Sequence, residues 1–149
     1  MGDGPRANSL DPSGERRQVS VLFADMVGFT PIAEALSEED TFAFVRMTYE
    51  KLAGVVRKHG GSVRGFAGDS IMGVFGIPDA QEDAAFRACR AALSIHAAFA
   101  ESAEELERRF GVHPMMRAGV SSGVVVMARV EDDGHEQTAV GNPVILASR

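Results

Sequence analysis

Two short apolar runs, Ser62 to Phe66 and Ile71 to Phe75, stand on either side of Ala67-Gly68-Asp69-Ser70. A gap that short, holding a Gly-Asp pair, leaves room only for a tight reversal, so the two runs are expected to form a β-hairpin. That commits the chain to an antiparallel sheet around which every other element must be placed. Gly76-Ile77-Pro78 breaks the second strand. Upstream, Val19 to Ala24 is an apolar run of strand length that stops at Asp25. Downstream, Met115 to Val120 and Val124 to Val130 read as strands separated by Ser121-Ser122-Gly123. Gln137 to Val140 reads as a short return strand after the polar loop Glu131 to Glu136.

Helical periodicity fills the spaces between these runs. Thr30-Pro31 is expected to open a short helix, with Thr as cap and Pro at the first helical position. A second helix starts at Ser37, where Asp40 three residues on resembles a capping box. Phe42, Val45, Tyr49, Leu52 and Val56 recur on one face of it, and Lys58-His59-Gly60-Gly61 closes it. Asp79 with Glu82 is expected to start a long helix running to about Arg109 and closed by Gly111. Ala84, Ala88, Leu93, Phe99, Leu106 and Phe110 would be its buried side. Gly141-Asn142-Pro143 is a further helix start, and the chain reaches Arg149 less than two turns later. The expectation is therefore a domain cut C-terminally inside an element, part of a longer multidomain protein.

The order of strands and helices predicts an α+β fold, a ferredoxin-like sandwich with helices packed on a mainly antiparallel sheet. Residues 1–15, rich in Gly, Pro and Ser, read as a flexible tail, and residues 16–149 as one domain. Fifteen basic residues against twenty-one acidic ones give a formal charge of −6, which argues against a nucleic-acid binder. The one cysteine, Cys89, cannot form an internal disulfide, and four scattered histidines lack ligand spacing. No apolar run approaches the roughly 20 residues of a membrane span, and no signal peptide is visible. A cytoplasmic location is expected.

Asp25 ends an apolar strand and Asp69 sits in an apolar hairpin. An ionised carboxylate in such surroundings is costly unless it is paired or holds a metal. In a ferredoxin-like sheet the first strand lies beside the hairpin, so the two carboxylates can converge. Hard oxygen ligands spaced in this way suit Mg²⁺ or Mn²⁺, which bind through one or two carboxylates plus substrate phosphates. Spacing alone leaves the bland alternative open, since Gly-Asp turns are common. Between the two, Met26-Val27-Gly28-Phe29-Thr30 leads a strand into a helix N-terminus, where unpaired N–H groups can seat phosphate. Met47, Met72, Met115 and Met116 are expected to fill gaps in the core, Cys89 to pack, His59 to sit at a helix end, and Phe29 and Phe75 to anchor core or loop.

Five segments occur in the order and spacing of a known family: FADMVGFT (Phe23 to Thr30), GGSVRGFAGDSIMGVFG (Gly60 to Gly76), EDAAFRACRAAL (Glu82 to Leu93), RAGVSSGVVV (Arg117 to Val126) and VGNPVILASR (Val140 to Arg149). In these the chain resembles the class III adenylate/guanylate cyclase catalytic domain of bacterial type. The resemblance implies that Asp25, Asp69 and the Met26 carbonyl hold two divalent metals, Mg²⁺ or Mn²⁺, and that Val27, Gly28, Phe29 and Thr30 hold phosphates. It further implies that the ribose 3′-oxygen of a purine nucleoside triphosphate attacks the α-phosphorus and pyrophosphate leaves. Arg149 would contact the α-phosphate, a task suited to its planar fork of donors. The implied assembly is a head-to-tail homodimer with sites at the interface, each built from both chains.

At three positions the sequence departs from that pattern or varies within it. The base-selecting lysine, four residues before the second aspartate, is replaced by Gly65. Arg64 is adjacent, but strand side chains alternate faces, so it would point away unless the strand bulges. The second base-reading position is Thr138, as in some bacterial members, which weakly favours ATP over GTP. The ribose-orienting asparagine is replaced by Ile145. Gly65 and Ile145 support an alternative: a degenerate cyclase homology domain that binds nucleotide or only dimerises, and regulates a longer protein. A phospho-acceptor domain built on Asp25 would need a neighbouring acidic pair and a strand-borne lysine, and has neither.

Overall fold

The computed structural model describes residues 15–67, 69–129 and 137–140. The tail up to Gly14, the polar loop Glu131 to Glu136 and the helix start at Asn142-Pro143 lie outside them. Strand β1 (Glu15–Val27) is followed by helices α1 (Phe29–Ala35) and α2 (Glu38–Lys58), strands β2 (Ser62–Ala67) and β3 (Ser70–Phe75), helices α3 (Ala84–Glu101) and α4 (Ala103–Phe110), and strands β4 (Met115–Arg129) and β5 (Gln137–Val140). The strands form one sheet in the order β2-β3-β1-β4-β5, and every neighbouring pair is antiparallel. The expected α+β ferredoxin-like arrangement is the one observed, with β1 central.

Alternation along β1 gives the sheet two different faces. Leu22, Ala24 and Met26 join Phe44, Leu52, Val56, Ile71, Ala88, Ile95 and Phe99 in the core beneath the helices. Val19, Val21, Val74, Ile77 and Val125 form a separate cluster on the opposite face, with Phe23 and Met72 packed against it. Asp25 follows Phe23 in this alternation and so belongs to the second face.

Ser37 caps α2, its hydroxyl accepting from the Asp40 N–H at 3.1 Å. Glu38, Glu39 and Asp40 crowd the first turn and Arg57 and Lys58 the last, each sign matching the helix dipole. After the helix, Gly60 takes φ +84° and the Gly61 N–H returns to the Val56 carbonyl at 2.9 Å. The helix then lies close on the hairpin. A Cβ on Gly73 would stand 2.9 Å from a Val56 methyl, and one on Gly61 2.7 Å from the Phe75 ring.

Several expectations are corrected. β1 begins at Glu15, counted above with the tail, and runs through Asp25 to Val27, because its backbone stays paired with β4 to that residue. Helix α1 starts at Phe29 behind a left-handed Gly28 with no side-chain cap, so Thr30 is not the capping residue. The buried side of α2 is Phe44, Thr48, Leu52, Ala53 and Val56, while Phe42 is 70% exposed. The long helix starts at Ala84, not near Asp79, and divides at Ser102, whose hydroxyl donates to the Ala98 carbonyl at 3.0 Å and bends the chain. Leu93, expected inside, is exposed, as are Cys89 and Met115. Ser121-Ser122-Gly123 does not interrupt β4, since these residues stay in register with Val19 to Val21 and the Ser122 and Ser20 hydroxyls bond at 2.6 Å. Among the described residues no helix is long and apolar enough to cross a membrane.

Candidate active site

The two carboxylate-bearing segments meet where β1 passes the end of the hairpin. Asp25 is the last β1 residue in register with β3, opposite Ser70. One residue on, the Met26 N–H donates to the Asp69 carbonyl at 3.1 Å, tying the hairpin turn to the end of β1. Asp25 near the end of β1 and Asp69 in the turn just before β3 therefore stand at one end of the sheet. Met26 itself is buried on the helix face. The chain then turns through Gly28 (φ +70°) into α1, so Val27 closes the strand and Phe29 and Thr30 begin the helix. The first N–H groups of a helix have no partner within it, and here the helix begins four residues after Asp25.

Across the other neighbour of β1, Arg117 on β4 is in register with Asp25. Its guanidinium forms a bidentate pair with the carboxylate, Nε to Oδ1 at 2.7 Å and Nη2 to Oδ2 at 3.1 Å. The Asp25 side chain is 25% exposed and that of Arg117 71%. The hydrogen bonds to Asp25 raise the Arg117 pKa above its ordinary value, and the charges of Asp25 and then Asp69 add to the effect. One cation thus feels both carboxylates, which identifies this end of the sheet as a place that attracts positive charge. The sequence reading did not single out Arg117, although a charged residue inside an apolar strand was the signal that found Asp25.

Asp25 and Asp69 fit a divalent cation of the hard, oxygen-seeking kind: one carboxylate near the end of β1 and one in the adjoining hairpin turn, already drawing in a guanidinium. Among the described residues no group of three or more His, Cys, Asp or Glu comes together, so phosphates and water would complete the ligand shell. Gly65 lies on β2 opposite Met72, on the same face as Asp25. The register of β2 shifts just before it: Val63 faces Gly73 and Gly65 faces Met72, leaving Arg64 as an extra residue. The strand does bulge, so the alternation that would turn Arg64 away does not hold. Thr138 pairs with Ala128 on β5, at the far side of the sheet from Gly65. Ile145 and Arg149 lie outside the described residues.

Residues 12–149 match the model of the adenylate and guanylate cyclase catalytic domain. Adenylate cyclase 1 of Rhizobium meliloti is 31% identical over 143 residues, covering 90% of this chain and 20% of that protein. The chain thus spans about a fifth of the length of this curated relative. The crystal structure of the guanylyl cyclase Cya2 superimposes with a TM-score of 0.83 at 29% identity, covering 91% of this chain and 69% of that one. The dimeric guanylyl cyclase domain of the RhoGC fusion protein from Blastocladiella emersonii gives 0.77 at 28% identity, covering 91% and 74%.

Proposed function

Because the chain belongs to the adenylate and guanylate cyclase catalytic domain family, we propose that it converts a purine nucleoside triphosphate to its 3′,5′-cyclic monophosphate, releasing pyrophosphate. The observation that carries this reading is the placement of Asp25 at the end of β1 beside Asp69 in the hairpin turn, both acting on the Arg117 guanidinium. Asp25, Asp69 and the Met26 carbonyl would hold Mg²⁺ or Mn²⁺, two per site. Such ions, when bound, supply a lowered pKa at the ribose 3′-hydroxyl and neutralise the triphosphate.

The chain's own residues do the positioning. The Arg117 side of its pair with Asp25 is largely exposed, so the guanidinium can exchange its carboxylate for triphosphate oxygens as cations enter. The unpaired N–H groups after Gly28 face a phosphate approaching Asp25, which gives Val27 to Thr30 their role. Arg149 of the partner subunit would stabilise charge on the α-phosphate, so the working unit is a homodimer with shared sites. Gly65 and Thr138 would take the two base-reading positions and Ile145 the ribose-orienting one.

A second reading is favoured by one observation: Gly65 presents no side chain above Met72. On that reading the domain binds nucleotide or dimerises and regulates the chain it is attached to. The two are separated by incubating the protein with ATP or GTP and Mn²⁺ and assaying cyclic nucleotide and pyrophosphate. Product from the wild type that is lost in Asp25→Ala and Asp69→Ala supports the enzyme. No product at high protein concentration refutes it, and saturable binding without turnover makes the domain a nucleotide sensor.

A further inference from the structure

Asp25 has a second polar neighbour, on the side of β1 away from Arg117. It is in register with Arg117 on β4 and with Ser70 on β3. Residues directly opposite one another in an antiparallel pair point to the same face, so all three side chains share the carboxylate face. The backbone bonding fixes how near Ser70 comes. The Met26 N–H donates to the Asp69 carbonyl, which makes Met26 and Asp69 a hydrogen-bonded pair and leaves Asp25 and Ser70 as the next, non-bonded one. Pairs of that kind bring their Cα atoms to about 4.5 Å and their side chains closest together. Ser70 is partly buried, as is the Asp25 side chain.

The other described neighbours of Asp25 on this face carry no side-chain donor. Phe23 and Val27 lie two residues away along β1, and Met72, Met115 and Gly119 lie on the diagonals of the two pairings. In the structure Arg117 occupies both carboxylate oxygens, Nε on Oδ1 and Nη2 on Oδ2. A divalent cation that takes one of those oxygens repels the guanidinium, and in the exchange described above both bonds to Asp25 are given up together. The oxygen that does not face the cation then needs a donor, because a ligating carboxylate keeps its orientation through the hydrogen bonds behind it. A serine hydroxyl donates one such bond and carries no charge to oppose the cation.

We propose that Ser70 is a positioning residue for the metal site: its hydroxyl donates to one Asp25 oxygen and so presents the other to Mg²⁺ or Mn²⁺ once Arg117 has turned away. This inference rests on the reading of Asp25 as a metal ligand. Ser70 itself touches neither cation nor substrate. Its effect falls on the loaded state, because in the metal-free protein Arg117 already holds Asp25 by two bonds. Loss of an outer partner of this kind weakens metal binding roughly 10- to 100-fold.

Calorimetric titration of the full chain with Mn²⁺ tests this, alongside urea unfolding of the metal-free protein. Ser70→Ala should weaken Mn²⁺ binding roughly 10- to 100-fold while the urea midpoint stays at the wild-type value. Ser70→Thr, which keeps the hydroxyl and suits a strand, should recover most of the affinity. A serine with a merely structural role would instead move the midpoint together with the affinity. Wild-type affinity in Ser70→Ala, a loss that tracks the midpoint, or no recovery in Ser70→Thr overturns the assignment of Ser70. If Asp25→Ala still weakens Mn²⁺ binding in those cases, the reading of Asp25 as a ligand survives alone. Absence of Mn²⁺ binding to the wild type, with and without ATP, overturns both.

Discussion

The seat of α2 on the hairpin yields a prediction with opposing parts. Val56 is fully buried, and its methyls already press on Gly73, where a Cβ would stand 2.9 and 3.1 Å from them. Gly73→Ala must therefore push helix and strand apart. Overpacking of this kind costs about 1–3 kcal/mol, offset by about 0.4–1 kcal/mol from the stiffer unfolded chain, for a net loss of about 1–2 kcal/mol. Val56→Ala removes two buried methyl equivalents at about 0.8 kcal/mol each and leaves a cavity, for about 2–3 kcal/mol. In the double variant the new methyl occupies space the valine has vacated, so clash and cavity cancel in part. The double should lose only about 1–2 kcal/mol, well under the combined single losses, with a coupling of about 2 kcal/mol. Urea unfolding followed by circular dichroism, comparing midpoints at a common m-value, measures all three. Strictly additive losses would refute the claim that Gly73 is small because Val56 sits on it. Gly73 lies on β3 close to Ser70 and Asp69, so nucleotide binding should fall in Gly73→Ala and recover in the double.

Arg117→Gln removes the cation that Asp25 and Asp69 share, so Mn²⁺ alone should bind more tightly by calorimetry while the Mn²⁺-triphosphate complex binds severalfold more weakly; shifts of the same sign in both would refute its exchange between carboxylate and phosphate. Mixing Asp25→Ala chains with Arg149→Ala chains, each inactive alone, should restore partial cyclase activity if each site draws on both subunits, and continued inactivity of the mixture would refute the shared site. Ser37→Ala should cost about 1 kcal/mol of stability in thermal or urea unfolding through loss of the α2 cap, with no change in nucleotide affinity.

The order of elements was legible because apolar periodicity survives local exceptions. It showed the hairpin at Gly68-Asp69, the strand before Asp25 and the helix from Ser37. Boundaries were less legible because the pairing partner decides them. Ser121 to Gly123 look like a break on their own, yet β1 supplies them a full ladder and Ser20 a hydroxyl partner. The division of the long helix at Ser102 depends on a hydroxyl bonding back to Ala98, and serines in helices only sometimes do this. The side of α2 that faces the core was misjudged at Phe42 because Phe44, two positions on, competes for the same role. One stripe takes in Thr48 and Ala53 and the other Val45 and Tyr49, and volume alone does not choose between them.

Asp25 and Asp69 stood out because a carboxylate at the end of an apolar run has to be explained, and the hairpin turn brings Asp69 beside the end of β1. Arg117 answers part of the same demand, but its partnership depends on the register between β1 and β4, strands that lie 92 residues apart at that pair. No local pattern encodes such a register. Arg64 turns on a smaller fact. Counting from Ser62 and Val63, Arg64 falls on the carboxylate face by plain alternation, and the one-residue insertion in β2 is what keeps Gly65 on that face as well. The sequence thus identifies the end of the sheet where two carboxylates act on one cation, while the cation itself is supplied by strand pairing.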